Sequence, residues 1–298
     1  MRPIDHGVSK ELALIEALRA LALHPAARGL TDDCAVLPFG SETLVLTHDM
    51  MVEGVHWLPG QDMADVAWKL VATNLSDLAA KGAEPVGVLL GFTLGDEDAR
   101  FIEGLGEALQ MFGVPLLGGD TVSANGPRSL GLTALGRATC APVPSRSGTR
   151  PGDTLWLTGP VGAAMQGFEA LRDETGADSL AFRRPFPRLA EGRSIAPIAH
   201  AMMDVSDGLL IDAARMARAS GVTFAIDSAA VPFPAALPDS RRDEAMRWGD
   251  DYELLFTLPA GISPPVAAHR IGEAHAAMQL PVIVDGAVPH GNLGYMHD

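Results

Sequence analysis

Short acidic motifs recur along this chain, and they carry most of the side chains that could do chemistry. They are Asp32-Asp33, Thr47-His48-Asp49 and the segments 74–77, 118–121, 204–208 and 249–253. One such motif alone is more typical of a turn or a helix cap, because Asp, Ser and Gly are the residues that turns use. Their positions in the predicted elements decide which of them could form a site.

One motif lies inside a predicted helix over 64–81, which Gly82 ends. Helical periodicity places Asn74 near the middle of the apolar arc of this helix and Asp77 near its edge. Burying an amide and a carboxylate there is costly unless each has a partner. A metal ion would supply partners, and so would a structural hydrogen-bond network, so both interpretations stay open here.

A second motif follows a predicted strand. If the strand continues through it, Thr47 and Asp49 point to one face and His48 to the other. A hydroxyl and a carboxylate at this spacing form a small set of oxygen ligands, and Asp204 and Ser206 repeat the spacing. Such oxygen-rich sets indicate a hard cation such as magnesium. Zinc is disfavoured, since the chain has neither His-Glu-x-x-His nor Cys-x-x-Cys.

Asp207 opens a predicted helix over 207–219. We expect free backbone N–H groups at this helix N-terminus, a setting that suits phosphate. An N-cap role for Ser206 or Asp207 is compatible with that expectation. The chain has no Gly-x-x-x-x-Gly-Lys-Ser/Thr loop and no protein-kinase motifs, so a phosphate site here would belong to another class.

The elements that must position these motifs are mixed strands and helices in both halves, which indicates an α/β or α+β fold. The segment 142–152 holds three prolines and two glycines, so we predict domains over 1–141 and 142–298. Helices are predicted over 9–23 (Ser9 as N-cap), 64–81, 96–112, 161–172 and 207–219. Strands are predicted over 43–47, 86–92, 114–117, 130–136, 154–157, 222–226 and 252–258, and 173–188 is predicted to be a loop.

Composition narrows the function further. The 298 residues carry a formal net charge of -15 with no basic patch, which argues against nucleic-acid binding. No apolar run approaches the roughly 20 residues that a membrane-spanning helix needs, and 1–10 contains no apolar signal region. Two cysteines are too few for a disulfide framework. We therefore expect a cytoplasmic protein without membrane partners.

Five motifs, in this order, resemble those of the thiamine-monophosphate kinase family: 52–56 (Val-Glu-Gly-Val-His), 74–85, 117–121 (Leu-Gly-Gly-Asp-Thr), 204–208 (Asp-Val-Ser-Asp-Gly) and 250–254 (Asp-Asp-Tyr-Glu-Leu). The resemblance extends from about Thr31 to the end of the chain. It implies the two-domain aminoimidazole ribonucleotide synthetase-like fold, with an N-terminal domain whose sheet forms a barrel with that of a partner in a homodimer. It also implies ATP, several Mg²⁺ ions and direct transfer to thiamine monophosphate, without a phosphorylated enzyme.

The resemblance assigns roles to individual residues. The implied metal ligands are Asp33, Thr47, Asp49, Asp77, Asp120, Asp204 and Asp207, and His48 is added as a candidate because it stands inside a ligand motif. The implied ATP contacts are Gly119, Asp120, Arg146 and Ser206. The implied thiamine-phosphate contacts are His56, Glu253 and Tyr295. Three residues depart from the family pattern, namely Thr31, His48 and Trp57.

ATP and thiamine monophosphate are both anions, and they would have to meet in an acidic protein. Aspartate-bound Mg²⁺ ions would present positive charge to both. Arg146 could add a bidentate contact, and no strong base is needed because a phosphate acceptor is already ionised. Two alternatives remain: another ATP-using enzyme of the same superfamily, or an inactive sensor of nucleotide or thiamine phosphate, which the departure at His48 would suit.

Overall fold

The computed structural model describes residues 10–296, and its strands form two mixed sheets. The first sheet has the order β1-β2-β5-β3-β4, in which only the β3–β4 pair is parallel. Its strands are β1 (Ala35–Phe39), β2 (Glu42–Val52), β3 (Ala83–Thr93), β4 (Leu116–Val122) and β5 (Ser129–Ala138). Within this one chain the sheet is open, with β1 and β4 at its edges, so the barrel and the dimer stay predictions.

The second sheet has the order β11-β8-β10-β6-β9-β7, and only β11–β8 is parallel. Its strands are β6 (Thr154–Leu157), β7 (Ala201–Asp204), β8 (Val222–Ile226), β9 (Leu254–Leu258), β10 (His269–Ala276) and β11 (Val282–Val284). The two sheets draw on separate stretches of chain on either side of the segment 142–152. The domain boundary at 142 stays a prediction.

Helices cover and connect the sheets. They are α1 (Lys10–Arg19), α2 (Met63–Ala79), α3 (Asp98–Phe112), α4 (Ala163–Arg172), α5 (Leu180–Arg183), α6 (Leu189–Ile195), α7 (Leu209–Ser220) and α8 (Arg242–Trp248), with 3-10 turns at Pro25–Leu30 and Asp239–Arg241. Ser9, the predicted cap of the first helix, lies outside the described residues. The helix that we predicted from Asp207 begins at Leu209, and the predicted loop 173–188 contains α5. No helix within 10–296 is long and apolar enough to cross a membrane.

Helix α2 lies at the centre of the molecule. All of its residues except Asp77 are buried, which is the pattern of a helix covered on every side. Its N-terminus is capped by Asp62, whose side chain accepts a hydrogen bond from Ala64 N at 2.9 Å. Gly192 of α6 lies so close to the other end that a Cβ there would come within 2.0 Å of Ala79 O. This contact joins the second half of the chain to the first.

Apolar packing reinforces that junction. A buried cluster combines the end of α2 with α6, β7 and β9, through Ala79, Ile195, Met202 and Phe256 among others. The side chains that α2 directs toward this junction are therefore held between the two sheets.

Candidate active site

Three carboxylates from three different elements meet at the junction of the sheets. Asp33 precedes β1, Asp77 lies in α2 and Asp204 ends β7, and one ligand oxygen from each lies within 4.8 Å of the others. An all-oxygen set of this kind suits a hard divalent cation such as Mg²⁺. The three residues are among the predicted metal ligands, and their metal-binding role stays a prediction.

Strand β2 brings two further predicted ligands to α2. It runs from Glu42 to Val52, so the strand does continue through Thr47 and Asp49. Thr47 Oγ1 donates a hydrogen bond to the Asp77 carboxylate, and Asp49 N donates to Asn74 Oδ1 at 3.1 Å. Asn74 Nδ2 in turn donates to Leu70 O at 2.9 Å. The buried Asn74 thus belongs to a structural network, while Asp77 belongs to the carboxylate cluster.

Burial, together with the neighbouring negative charges, raises the pKa values of Asp77, Asp49 and Asp204. Burial raises the pKa of Asp77 well above its usual value, and the charges of Asp49, Asp204 and Asp33 add to the effect. Burial followed by the charge of Asp33 raises the pKa of Asp49 to about 6 and that of Asp204 to about 7. Ser76 Oγ partly offsets the shift of Asp204 by donating to it at 2.6 Å. A bound cation would favour the ionised forms of all three groups.

A buried lysine lies beside this cluster. Lys81 Nζ is 2.6 Å from Asp32 Oδ1 and 2.5 Å from Asp33 Oδ2, and the Lys81 side chain is 0% exposed. Burial alone would lower the pKa of Lys81, but the charges of Asp33 and Asp32 raise it above its usual value. Arg146 Nε also donates to Asp33, at 2.7 Å, so this predicted ATP contact lies next to a predicted metal ligand.

Sequence reasoning did not single out Lys81 for the site. The available signal was a lysine at the end of a predicted apolar helix, in the middle of the 74–85 motif. Arg28 likewise went unnoticed, although it pairs with Asp32 and donates to Val143 O at 2.9 Å.

The loop between β7 and α7 corrects one expectation. Ser206 N and Asp207 N donate to Asp212 Oδ2, at 3.1 and 3.0 Å, so these two amides are not free to receive phosphate. The Asp212 side chain is 0% exposed, and Arg215 Nη1 bonds it at 2.8 Å while also pairing with Asp207. The expectation of free N–H groups at these two positions is therefore wrong, because a carboxylate one turn into α7 already binds them.

The predicted acceptor contacts lie on both sides of the junction. His56, after β2, accepts a hydrogen bond at Nδ1 from Val52 N at 3.0 Å. Glu253, just before β9, is buried and accepts from Thr158 Oγ1 at 2.6 Å and from Arg188 Nε at 2.9 Å. Thr158 and Arg188, the two partners of Glu253, also line a cavity of about 270 Å³. Its other lining residues are Ala190, Glu191, Ser194, Val266 and Ala267.

The remaining predicted site residues are His48, Gly119, Asp120 and Tyr295, and none of them belongs to the three-carboxylate cluster. His48 is on the opposite face of β2 from Thr47, with Nδ1 2.9 Å from Thr133 Oγ1. Gly119 and Asp120 are on β4, all seven residues of which are exposed. A Cβ at Gly119 would come within 2.0 Å of Leu90 O. Tyr295, about half-exposed, donates through its backbone N to Asp207 O at 2.9 Å.

Two family models match separate stretches of the chain. The family model for the AIR synthase related protein N-terminal domain matches residues 31–138, and that for the C-terminal domain matches 150–274. Thiamine-monophosphate kinase of Escherichia coli (strain K12) is 39% identical over 251 residues, covering 78% of this chain and 76% of that protein. That of Caulobacter vibrioides is 38% identical over 279 residues, covering 87% of this chain and 78% of that protein.

Solved structures extend the likeness to three dimensions. A structure described as AaThiL complexed with AMPPCP and TMP has a TM-score of 0.85 at 28% identity, covering 96% of this chain and 97% of that one. Thiamine-monophosphate kinase from Stenotrophomonas maltophilia K279a has a TM-score of 0.76 at 32% identity, covering 93% and 96% of the two chains.

The two sheets, each matched by one domain model, and the carboxylates between them define an AIR synthase-related protein. Such proteins share a fold across several activities, so this class alone does not fix the reaction. Sequence identity approaching 40% over most of the chain identifies a narrower group within this class. The chain belongs to the thiamine-monophosphate kinase family. The resemblance noted in the sequence is thereby confirmed.

Proposed function

We propose that this protein transfers the γ-phosphate of ATP to thiamine monophosphate, forming thiamine diphosphate and ADP. The observation that carries the proposal is the carboxylate cluster of Asp33, Asp77 and Asp204 at the domain junction of a thiamine-monophosphate kinase family member. The similar AaThiL structure is described as a complex with AMPPCP and TMP, which supports an ATP site and a thiamine-monophosphate site in one fold.

We assign the metal-holding role to the oxygen ligands around α2 and β7, namely Asp33, Thr47, Asp49, Asp77, Asp204 and Asp207. Bound Mg²⁺ would neutralise phosphate charge in a protein whose own charge is -15. His48 is left out of this set, because its side chain faces the opposite side of β2. Asp120 stays a candidate from the β4 edge.

The chain's own groups would then orient the two substrates. Arg146 and Ser206 are the proposed nucleotide contacts, along with Gly119, and His56, Glu253 and Tyr295 are the proposed acceptor contacts. In the reaction, a phosphate oxygen of the acceptor attacks the γ-phosphorus while the bond from that phosphorus to the leaving ADP oxygen breaks. No strong base is required, because the attacking oxygen is already ionised near neutral pH.

We expect ADP release to require both Mg²⁺ and thiamine monophosphate, and we expect free thiamine to be a poor acceptor. Thiamine lacks the phosphate oxygen that the proposed reaction uses. A coupled assay for ADP, with chromatographic detection of thiamine diphosphate, measures both products.

Omission of the acceptor and addition of excess EDTA are the controls for this assay. Equal turnover with free thiamine would contradict the acceptor assignment. ADP release that ignores the acceptor would favour another ATP-using activity, and binding without any turnover would favour a sensor.

We also expect a homodimer formed through the N-terminal sheet. Among residues 10–296, no strand pairs with the outer edge of β4, and Leu116, Leu117 and Val122 on this seven-residue strand are 45%, 54% and 51% exposed. Exposed apolar edge strands readily pair with another chain. Light scattering should therefore give about twice the 31.2 kDa of one chain.

A charge on the β4 edge tests where the copies meet. Val122→Lys should shift the protein toward monomer, whereas Leu180→Lys, at a similarly exposed leucine outside this sheet, should not. A monomeric mass for the unaltered protein at micromolar concentration would refute the dimer.

A further inference from the structure

A second buried lysine links three segments around the acceptor side of the site. Lys69 lies in the middle of α2, and its side chain is 1% exposed. Its Nζ is 2.7 Å from Asp250 Oδ2 and 3.1 Å from His56 O, and it lies 3.9 Å from the ring centroid of Phe182. These partners belong to the loop after β2, the loop before β9 and α5. A buried ammonium is tolerated only with such partners, so the three segments are fixed relative to one another through it.

The Asp250 loop is itself tightly constrained. Asp250 and Tyr252 adopt left-handed backbone conformations, with φ of 61° and 52°, which persist only where surrounding contacts impose them. Tyr252 OH donates to Asp250 Oδ1 at 2.9 Å, and Asp250 N donates to Ser206 O at 2.7 Å. The residue after Tyr252 is Glu253. Asp250 therefore belongs to the same constrained turn that leads into Glu253.

We propose that Lys69 is a positioning residue for the acceptor, because it ties the backbone of His56 to the loop that presents Glu253. These two proposed acceptor contacts come from opposite sides of the domain junction, and Lys69 bonds the His56 backbone and the Glu253 loop at once. The inference rests on the proposed function, since it takes these residues as contacts of thiamine monophosphate. Lys69 itself is too deeply buried to act on the substrate directly.

Lys69→Met keeps the length of the side chain and removes its charge. We expect the KM for thiamine monophosphate to rise about tenfold or more, because loss of the Lys69 contacts displaces the groups that bind the acceptor. The KM for ATP should stay within about twofold. We also expect faster amide hydrogen exchange in the segment 53–57, measured by mass spectrometry without any substrate. If Lys69→Met alone folds poorly, Lys69→Met with Asp250→Asn removes the unpaired carboxylate and tests the same tie.

Asp65→Asn is the matched control. Asp65 lies one turn earlier on α2, its side chain is 4% exposed, and it pairs with Arg183 and Arg184 from the second half of the chain. This variant should lose thermal stability yet keep both KM values and the exchange rate of 53–57. The inference is overturned if Lys69→Met behaves like Asp65→Asn, or if both of its KM values rise together.

Failure of the proposed function has a different signature. In that case the unaltered protein would form no thiamine diphosphate, while the hydrogen-exchange comparison would still report whether Lys69 fixes the His56 loop. Unchanged exchange in 53–57 would overturn the inference whatever the substrate.

Discussion

Replacing Asp77 by asparagine should lower turnover by about a hundred- to a thousandfold while leaving the metal-free protein folded. Asn keeps the shape and can still accept the Thr47 hydrogen bond, but it removes one charge from the cluster with Asp33 and Asp204. Loss of one group that stabilises transition-state charge has effects of this size in other enzymes. The expectation follows from the proposed role of Asp77 in holding a cation.

The stability of the same variant should move in the opposite direction. The pKa of Asp77 in the folded protein is raised well above its ordinary value of 3.8. A carboxyl with a raised folded-state pKa favours folding below its unfolded pKa and loses that contribution as pH rises through the folded value. At neutral pH without metal the group therefore opposes folding, and Asp77→Asn should be equally or more stable.

Turnover with Mg²⁺ and melting temperature in EDTA, measured on one preparation, test both expectations. Asp62→Asn is the control, since it changes the N-cap of the same helix. It should keep turnover and lower stability by at most about 1 kcal/mol. An Asp77→Asn protein that is destabilised yet active would show that Asp77 serves the fold rather than the reaction.

Lys81→Met should produce the largest loss of stability. It would remove the ammonium shared by Asp32 and Asp33, whose side chains are each 1% exposed. Removing one partner of a buried ion pair typically costs about 3–5 kcal/mol, because the remaining charge is left uncompensated. Arg28 and Arg146 stay bonded to the two carboxylates, so the lower part of that range is expected.

Urea denaturation in EDTA measures this loss as a change in the free energy of unfolding. Lys10→Met, at an exposed position of α1, is the matched control and should leave the midpoint unchanged. Adding Asp32→Asn to Lys81→Met should restore part of the stability, since one uncompensated charge is then gone. An unchanged midpoint for Lys81→Met would contradict this expectation, because it would mean that the ion pairs make no net contribution to the free energy of unfolding.

Local pattern predicted the framework of the site well. Apolar periodicity and the following glycine placed the helix over 64–81, and α2 covers Met63–Ala79. The same periodicity correctly placed Asn74 inside the core. Six other elements gave no clear local signal: β1, α6, β7, α8, β10 and β11. Packing across the junction fixes α6, and long-range strand pairing fixes β7, β10 and β11. By contrast, β1 pairs with the adjacent β2 in a hairpin, and α8 packs within the second half of the chain.

The partners of the charged groups were the hardest to predict. Asp212 binds the amides of Ser206 and Asp207 only because α7 begins at Leu209, two residues later than the pattern indicated. Lys69 and Asp250 are 181 positions apart, so no local spacing signals their ion pair. The family resemblance included Asp33, Asp77 and Asp204, which the structure brings together. Of the cations beside these carboxylates it singled out only Arg146.

The chain contains three lysines, Lys10, Lys69 and Lys81, while its other basic side chains are arginines and histidines. Two of the three amines are enclosed, with side chains 1% and 0% exposed, and the third is exposed on α1. Acylating reagents need an accessible, deprotonated amine. Burial makes Lys69 and Lys81 inaccessible, and the raised pKa of Lys81 also keeps that amine protonated. Mild amine acylation of the native protein should therefore modify Lys10 alone among its lysines. The rate at which Lys69 or Lys81 is modified would report how often the contact between the two halves opens.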